Sequence, residues 1–310
     1  MRTDEIEAVA AALGRPVRAT AKLAGGFSHE TCLLTLDDSQ VVARLGGPDP
    51  AIEAAVMATA RPFAPVPEVL HVLPAVGEGA RPAMVIAFVP GTPLSEILDR
   101  GGPGMDDLGA EVGRMAARIA TVTFARPGFF ADADLATHPQ PPWSKQLPEF
   151  AESCMTATPD FRLDRPTRRS WAALCAEHAP ALAVIDDQAR LAHADLNPKN
   201  ILVTRTAAGW RVDALLDWEF SYAGSPYGDA ANMARFGVDY PAGFLAGFSS
   251  GFADNQPGDL PLVDDWAYLG RLLDMFALSD LVTRGRDHPV ADQAATVIRQ
   301  WLTTGVPRSL

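Results

Sequence analysis

Met105, Leu108, Val112, Met115, Ile119 and Val122 recur at alternating steps of three and four residues, the apolar stripe of a long helix. Leu262, Trp266, Leu269, Leu273 and Phe276 repeat that period, and further helices are expected over about 144–157, 167–179 and 290–301. The first ninety residues follow a different rule. A short helix over 3–13, with Thr3 as its expected cap and Gly14 as its stop, precedes a series of short apolar runs. These runs, at 17–23, 31–36, 40–45, 67–73 and 83–89, are bounded by Gly, Pro or Asp and predict a five-stranded antiparallel sheet. One helix interrupts them. Asp49 as a cap followed by Pro50 in the first helical position opens it, and it closes before Pro62. Pro90-Gly91 then breaks the pattern as a hinge would. The pattern predicts an α+β protein of two lobes, a sheet-rich 1–90 and a helical 91–310.

Composition narrows the classes without choosing among them. The 310 residues are 48 % hydrophobic and 21 % charged, as in an ordinary globular protein with room for a sizeable core. The net charge of −12 argues against a nucleic-acid partner, which would want a basic face. The acidic excess is spread at similar density over both lobes, so it does not by itself place a cation site. No apolar run approaches ~18 residues, so no membrane partner is expected. The first fourteen residues lack the basic start and apolar centre of a secretory leader, and the three cysteines are far apart. Both features fit free thiols in a cytoplasmic protein.

The chemistry concentrates between His193 and Asp217. His193-Ala194-Asp195-Leu196-Asn197-Pro198-Lys199-Asn200 runs into two short strands joined by a turn at Ala208-Gly209, and the second strand ends at Asp217-Trp218-Glu219. A loop and a hairpin would thus deliver Asp195, Asn200 and Asp217 to one end of a small sheet. Phosphoryl transfer wants those three groups together. One carboxylate accepts the proton of an attacking hydroxyl, while an amide oxygen and a second carboxylate hold Mg²⁺, a hard cation, against nucleotide phosphates. Asp, Asn and Pro also gather in plain turns, so the spacing and the hairpin carry the reading, not the residue types. In the first lobe, Gly25-Gly26-Phe27-Ser28 between two strands would let backbone N–H groups approach a phosphate, although a simple hairpin turn uses the same residues. Arg44 near the end of the third strand and Glu53 on the following helix suit a phosphate-holding cation and its acidic partner. An adenine ring beside the fifth strand would bond backbone, with the carbonyl of Ala87 and the N–H of Val89 in register.

Together these segments resemble the aminoglycoside phosphotransferase family. The likeness rests on Gly25-Gly26-Phe27-Ser28, Val42-Ala43-Arg44, Glu53, Phe88-Val89-Pro90-Gly91, the 193–200 loop, Leu215-Leu216-Asp217-Trp218-Glu219, and Gly224-Ser225-Pro226 with Asp229. It implies a protein-kinase-like bilobal fold and an ATP- or GTP-dependent phosphotransferase acting on an alcohol. It further implies Asp195 as the hydroxyl-orienting base and Asn200 and Asp217 as Mg²⁺ ligands, with His193 and Asp229 as structural supports of the loop. Ala194 stands where protein kinases carry a loop Arg, and Asp-Trp-Glu where they carry Asp-Phe-Gly, which favours a small-molecule acceptor. A protein kinase and a non-catalytic nucleotide-binding relative are the competing classes.

The acceptor is expected to be a small molecule with a free hydroxyl, most simply an antibiotic and alternatively a metabolite of homoserine or choline type, bound by a monomer or homodimer. Asp132, Asp134, Glu149, Glu152 and Asp160, and a second run of Asp254, Asp259, Asp264, Asp265, Asp274 and Asp280, would favour a cationic acceptor if they line its cleft. Solvated helix faces account for them equally well. Trp143 could stack on a sugar or base, whereas the helical spacing of Trp266 assigns it to the core.

Overall fold

The structure is a computed structural model, and it describes residues 1–23, 29–47, 49–75 and 81–310. Gly25, Gly26 and Ser28 lie outside the described residues.

The first lobe is built by the period-two alternation of its strands. Helix α1 (Thr3–Leu13) precedes β1 (Ala19–Lys22), β2 (Glu30–Thr35) and β3 (Gln40–Leu45), and α2 (Pro50–Ala60) precedes β4 (Val69–Leu73) and β5 (Ala83–Ala87). The sheet order is β1-β2-β3-β5-β4 with every pair antiparallel. Val41, Ala43 and Leu45 of β3, with Ala83 and Val85 of β5, face Val9 of α1 in a small core of their own. Val42, Met84 and Ile86 face the other way and join α2 and the second lobe in the main core. The alternation puts Arg44 on the α2 face. Asp49 caps α2 as the sequence implies, accepting from Ala51 N–H at 2.9 Å. Thr3 does not cap α1. The cap is Arg2, whose N–H donates to Glu5 Oε2 at 2.7 Å, because an acid three residues on reaches back to it.

The second lobe begins without a free linker. Strand β6 (Thr92–Pro93) follows Gly91 directly and pairs with β9 (Ile201–Thr206), which forms a three-stranded sheet with β10 (Gly209–Leu215). A Cβ on Gly91 would lie 2.9 Å from Leu202 Cβ, so the expected hinge is seated on the hairpin that carries Asp217. Helices α3 (Leu94–Arg100) and α4 (Met105–Ile119) come next. Strand β7 (Gly128–Phe129) lies in the otherwise irregular 125–143 segment, and α5 (Trp143–Ala157) and α6 (Arg165–His178) follow. Strand β8 (Arg190–Ala192) leads into the 193–200 loop, and β11 (Tyr222–Gly224) leaves the hairpin to pair with both β7 and β8. Helices α7 (Tyr227–Ala234), α8 (Phe244–Asp254), α9 (Trp266–Leu281) and α10 (Pro289–Thr304) complete the lobe. Cys32, Cys154 and Cys175 are buried free thiols. Among the described residues no helix is long and apolar enough to cross a membrane.

Glycine sets the closest helix packing. Gly109 and Gly113 of α4 face α8, and Gly247 and Gly251 of α8 face α4, each pair four residues apart on one helix face. A Cβ at Gly109 would lie 2.0 Å from the Phe244 carbonyl, and one at Gly113 would lie 2.2 Å from that of Phe248. Backbone stands where side chains would otherwise be, and Phe244, Phe248 and Phe252 are fully buried behind it. We expect Gly109→Ala to lower the unfolding free energy by about 3 kcal/mol in urea titration, since neither helix backbone can yield cheaply. Gly258→Ala, where a Cβ meets nothing within 4 Å, should change it by under about 0.5 kcal/mol.

Candidate active site

The 193–200 loop is held by its backbone. Ala194 has φ 67°, a left-handed conformation that side-chain-bearing residues rarely adopt. The buried Asp229, in the first turn of α7, accepts from the N–H of His193 and of Ala194, both at 2.8 Å, and so fixes that bend. Burial pushes the Asp229 carboxyl up to about 7, against the two N–H donors, which favour its anion. The fully buried His193 ring is braced on both nitrogens, with Nε2 on the Leu216 carbonyl at 2.9 Å and Nδ1 receiving the Asp195 N–H at 3.2 Å. That arrangement assigns the proton to Nε2 of a neutral ring, and burial holds the imidazole down at about 4. His193 and Asp229 therefore support the loop sterically and through hydrogen bonds.

Two amides present the Asp195 carboxylate. Asn197 Nδ2 donates to its Oδ1 and Asn200 Nδ2 to its Oδ2, each at 2.8 Å. Burial raises the Asp195 pKa, the two amide donors oppose that, and the charge of Asp217 raises it further. Asn197 also caps the single turn of 3₁₀ helix over Pro198–Asn200 by accepting from Lys199 N–H at 3.0 Å. The sequence reading gave Asn197 no role. Its signal was the Asn-Pro pair, a turn opener whose side chain folds back on the chain.

Asp217 closes the arrangement from the hairpin side. Its own φ is 67°, and the N–H of Leu216 beside it donates to the Asn200 carbonyl at 2.8 Å, which sets the end of the hairpin against the loop. Arg44 crosses from β3 and pairs with both Glu53 and Asp217. Burial alone would lower the Arg44 pKa, and the facing carboxylates of Glu53 and Asp217 outweigh it, so the guanidinium is firmly cationic. Glu53 also accepts the Trp218 N–H at 3.1 Å. Trp218 is fully buried, donates its indole N–H to the Leu215 carbonyl at 2.9 Å, and lies 4.4 Å from the His193 ring. Sheet, helix, loop and hairpin meet in this one network.

Two further groups join it that the sequence reading had left without a role. His29 Nδ1 lies 3.2 Å from Arg44 Nη2 and 3.7 Å from Glu219 Oε2. Ligand-capable atoms of His29, Asp217 and Glu219 lie within 4.8 Å of one another. The signal for Glu219 was its place two residues beyond Asp217, and for His29 its place directly after the glycine turn. The donor set suits a hard divalent ion. Asp217 and Glu219 offer carboxylate oxygens, and Asn200, which turns Nδ2 to Asp195, keeps its side-chain Oδ1 for a cation. Ala87 ends β5 with its N–H on the Glu68 carbonyl at 2.8 Å, and Val89 is half-buried in the segment leading to β6.

Five of the eleven acids in the two runs are matched by arginine. Asp160 pairs with Arg168, Asp259 with Arg190, Asp265 with Arg308, Asp274 with Arg235 and Asp280 with Arg284. Trp143 is not placed for stacking on a ligand. It is buried among Tyr222, Phe129 and Phe276, with ring centroids 5.2, 5.6 and 5.8 Å away. Trp266 is core, as its spacing implied.

The neutral His193 ring makes stability depend on pH with a definite sign. Its folded pKa is depressed from 6.5 to about 4, so the stability it contributes is present above 6.5 and lost as the pH falls through about 4. We expect the difference in unfolding free energy between the wild-type chain and His193→Gln, measured by denaturant titration, to shrink by about 3 kcal/mol between pH 7 and pH 4. A difference that stays constant would mean that the ring is not held neutral.

Comparison with known proteins agrees with this architecture. No curated protein sequence matches the chain. Among solved structures, a thermostable mutant of aminoglycoside phosphotransferase APH(4)-Ia, in a ternary complex with ADP and hygromycin B, superposes with a TM-score of 0.71 at 16 % identity, covering 98 % of this chain and 100 % of that one. A candidate fructosamine-3-kinase from Thermobifida fusca superposes with a TM-score of 0.61 at 16 % identity, covering 95 % and 98 %. These likenesses establish the kinase-like bilobal fold. The sequence profile of the phosphotransferase enzyme family matches residues 20–266, and the chain belongs to that family.

Proposed function

We propose that the chain is an ATP-dependent O-phosphotransferase that phosphorylates a hydroxyl of a small molecule. The observation that carries the reading is that Asn200 donates to Asp195 and accepts at its backbone from Leu216, the residue before Asp217, while Asp217 itself pairs with the Arg44 that Glu53 also holds. The ADP and hygromycin B named for the structural neighbour supply the analogy for nucleotide and acceptor. Residues 1–90 form the nucleotide lobe, with Gly25, Gly26, Ser28 and Arg44 at the phosphates, Glu53 holding Arg44, and the backbone of Ala87 and Val89 at the base. Residues 91–310 carry the chemistry and the acceptor.

Mg²⁺, when bound through Asn200 and Asp217, supplies charge neutralisation for the nucleotide phosphates. Asp195 orients the acceptor hydroxyl and takes its proton. Its two amide donors hold the carboxylate at a fixed angle, and its raised pKa makes it a better proton acceptor than an exposed carboxylate. The transition state of phosphoryl transfer is loose, so positioning and electrostatics provide most of the acceleration. His193 and Asp229 act only through the loop backbone. The protein works in the cytoplasm.

An antibiotic is the first acceptor class, on the APH(4)-Ia likeness. A metabolic acceptor is the second reading. Arginine matches part of the two acidic runs and leaves less charge for a polycation, and the Thermobifida neighbour is a candidate fructosamine-3-kinase. A panel of antibiotics, amino alcohols and sugar amines incubated with ATP and Mg²⁺, read by mass spectrometry, should show one phosphoryl group added to one class. Asp195→Ala should lower kcat roughly 10²- to 10⁴-fold while nucleotide affinity changes little. Undiminished turnover in that variant would remove Asp195 from the chemistry.

A further inference from the structure

A cavity of about 220 Å³ opens beside the site, between the first turn of α2, strand β7 and the residues that follow Asp217. Asp49, Ile52, Phe129, Phe130, Glu219 and Phe220 form most of its wall, and among the described residues no Lys, Arg or His lines it. Two of its rings are open to solvent. Phe129 and Phe220 are each 49 % exposed, the highest value among the described phenylalanines, though Phe161 is close behind at 47 %. Phe129 is not loose for being exposed. Its ring is backed edge-on by Trp143 at 5.6 Å and by Tyr222 at 5.6 Å. A ring fixed in place yet open to solvent is what a ligand-stacking surface requires, because little side-chain entropy remains to be lost on binding.

The wall is also electrically one-sided. Glu53 is committed to Arg44. Asp49 uses one oxygen on the Ala51 N–H to cap α2, and among the described residues it makes no ion pair. An apolar slot with an unbalanced carboxylate at its edge and aromatic faces along its sides suits a cation attached to an apolar body. The volume fits a small ligand. It corresponds to about seven water molecules, enough for one ring and an ammonium group and less than a drug-sized ligand occupies. The cavity also adjoins the chemistry, since Ser221 in its wall donates to the His193 carbonyl at 3.4 Å, two residues before Asp195.

Resting on the phosphotransferase reading above, we propose that this cavity anchors the acceptor, and that the acceptor is a monocationic alcohol whose apolar or aromatic body lies between Phe129 and Phe220 with its ammonium group toward Asp49. Asp49 and the two phenylalanines are then specificity residues. None of them takes part in the transfer.

Binding tests this without needing the natural acceptor. 2-Amino-1-phenylethanol and its uncharged counterpart 1-phenylethanol are titrated calorimetrically into the full chain in the presence of Mg·ADP. The charged alcohol should bind at least 10-fold more tightly, and Trp143 fluorescence should change on saturation because Trp143 backs Phe129. Phe220→Ala should weaken both ligands about 10-fold. Asp49→Asn keeps a good helix cap, so it should leave the fold and the neutral ligand unaffected and abolish the preference for the cation. Equal affinity for the two alcohols, no binding of either, or unchanged binding in both variants overturns the proposal. Mg·ADP is titrated alone first. Its failure to bind would count against the phosphotransferase reading itself, whereas normal Mg·ADP binding with no discrimination between the alcohols counts against the cavity assignment only.

Discussion

The site depends on one buried guanidinium. Arg44 leaves the α2 face of the first sheet, where the alternation of β3 puts it, and is shared between Glu53 of α2 and Asp217 at the end of the second-lobe hairpin. Burying a charge costs several kcal/mol unless partners surround it, and removing one partner of a buried pair typically costs about 3–5 kcal/mol. Glu53 strengthens the junction by accepting the Trp218 N–H as well. The register of one strand, the start of one helix and the end of one hairpin are thus mutually constrained. Arg suits this position better than Lys would, since its planar fork can meet two carboxylates at once.

Around that cation the charges are balanced pairwise. Asp195 is held by Asn197 and Asn200, Asp217 by Arg44, and Asp274 by Arg235 behind the loop. The net charge of −12 therefore says little about the site, whose own carboxylates are matched locally by Arg44 and by two amides. Local imbalance is the more informative quantity, and the clearest case beside the site is Asp49, whose position at a helix start had explained it fully as a cap.

What could be read from the sequence was whatever depends on spacing along the chain. The four-residue gap between Asp195 and Asn200, the hairpin ending at Asp217, the Asp49-Pro50 helix start and the 3.6-residue stripe of α4 are local patterns, and the fold follows them closely. Long-range partners left no such trace. Nothing near Asp274 or Asp259 in the pattern of charges announces which arginine will meet it, and Trp143 looked available because its partners Tyr222 and Phe276 lie far along the chain. The Gly109/Gly113 and Gly247/Gly251 pairs are an intermediate case. Their four-residue spacing is visible, but only the approach of two helix backbones gives it meaning.

The two left-handed residues of the site show why the loop needs so much support. Ala194 and Asp217 each hold a conformation that costs on the order of 1 kcal/mol for a residue with a side chain, and glycine would avoid the cost. At 217 glycine cannot serve, since the carboxylate is the group that meets Arg44. The bend at Ala194 turns two successive N–H groups onto a single carboxylate, and that pair of bonds offsets its strain. His193 connects the two bends, receiving the Asp195 N–H on one nitrogen and bonding the Leu216 carbonyl with the other. A protonated ring could not accept at Nδ1, so the same burial that keeps the imidazole neutral keeps both bends in place, and the carboxylates they position stay at a fixed separation.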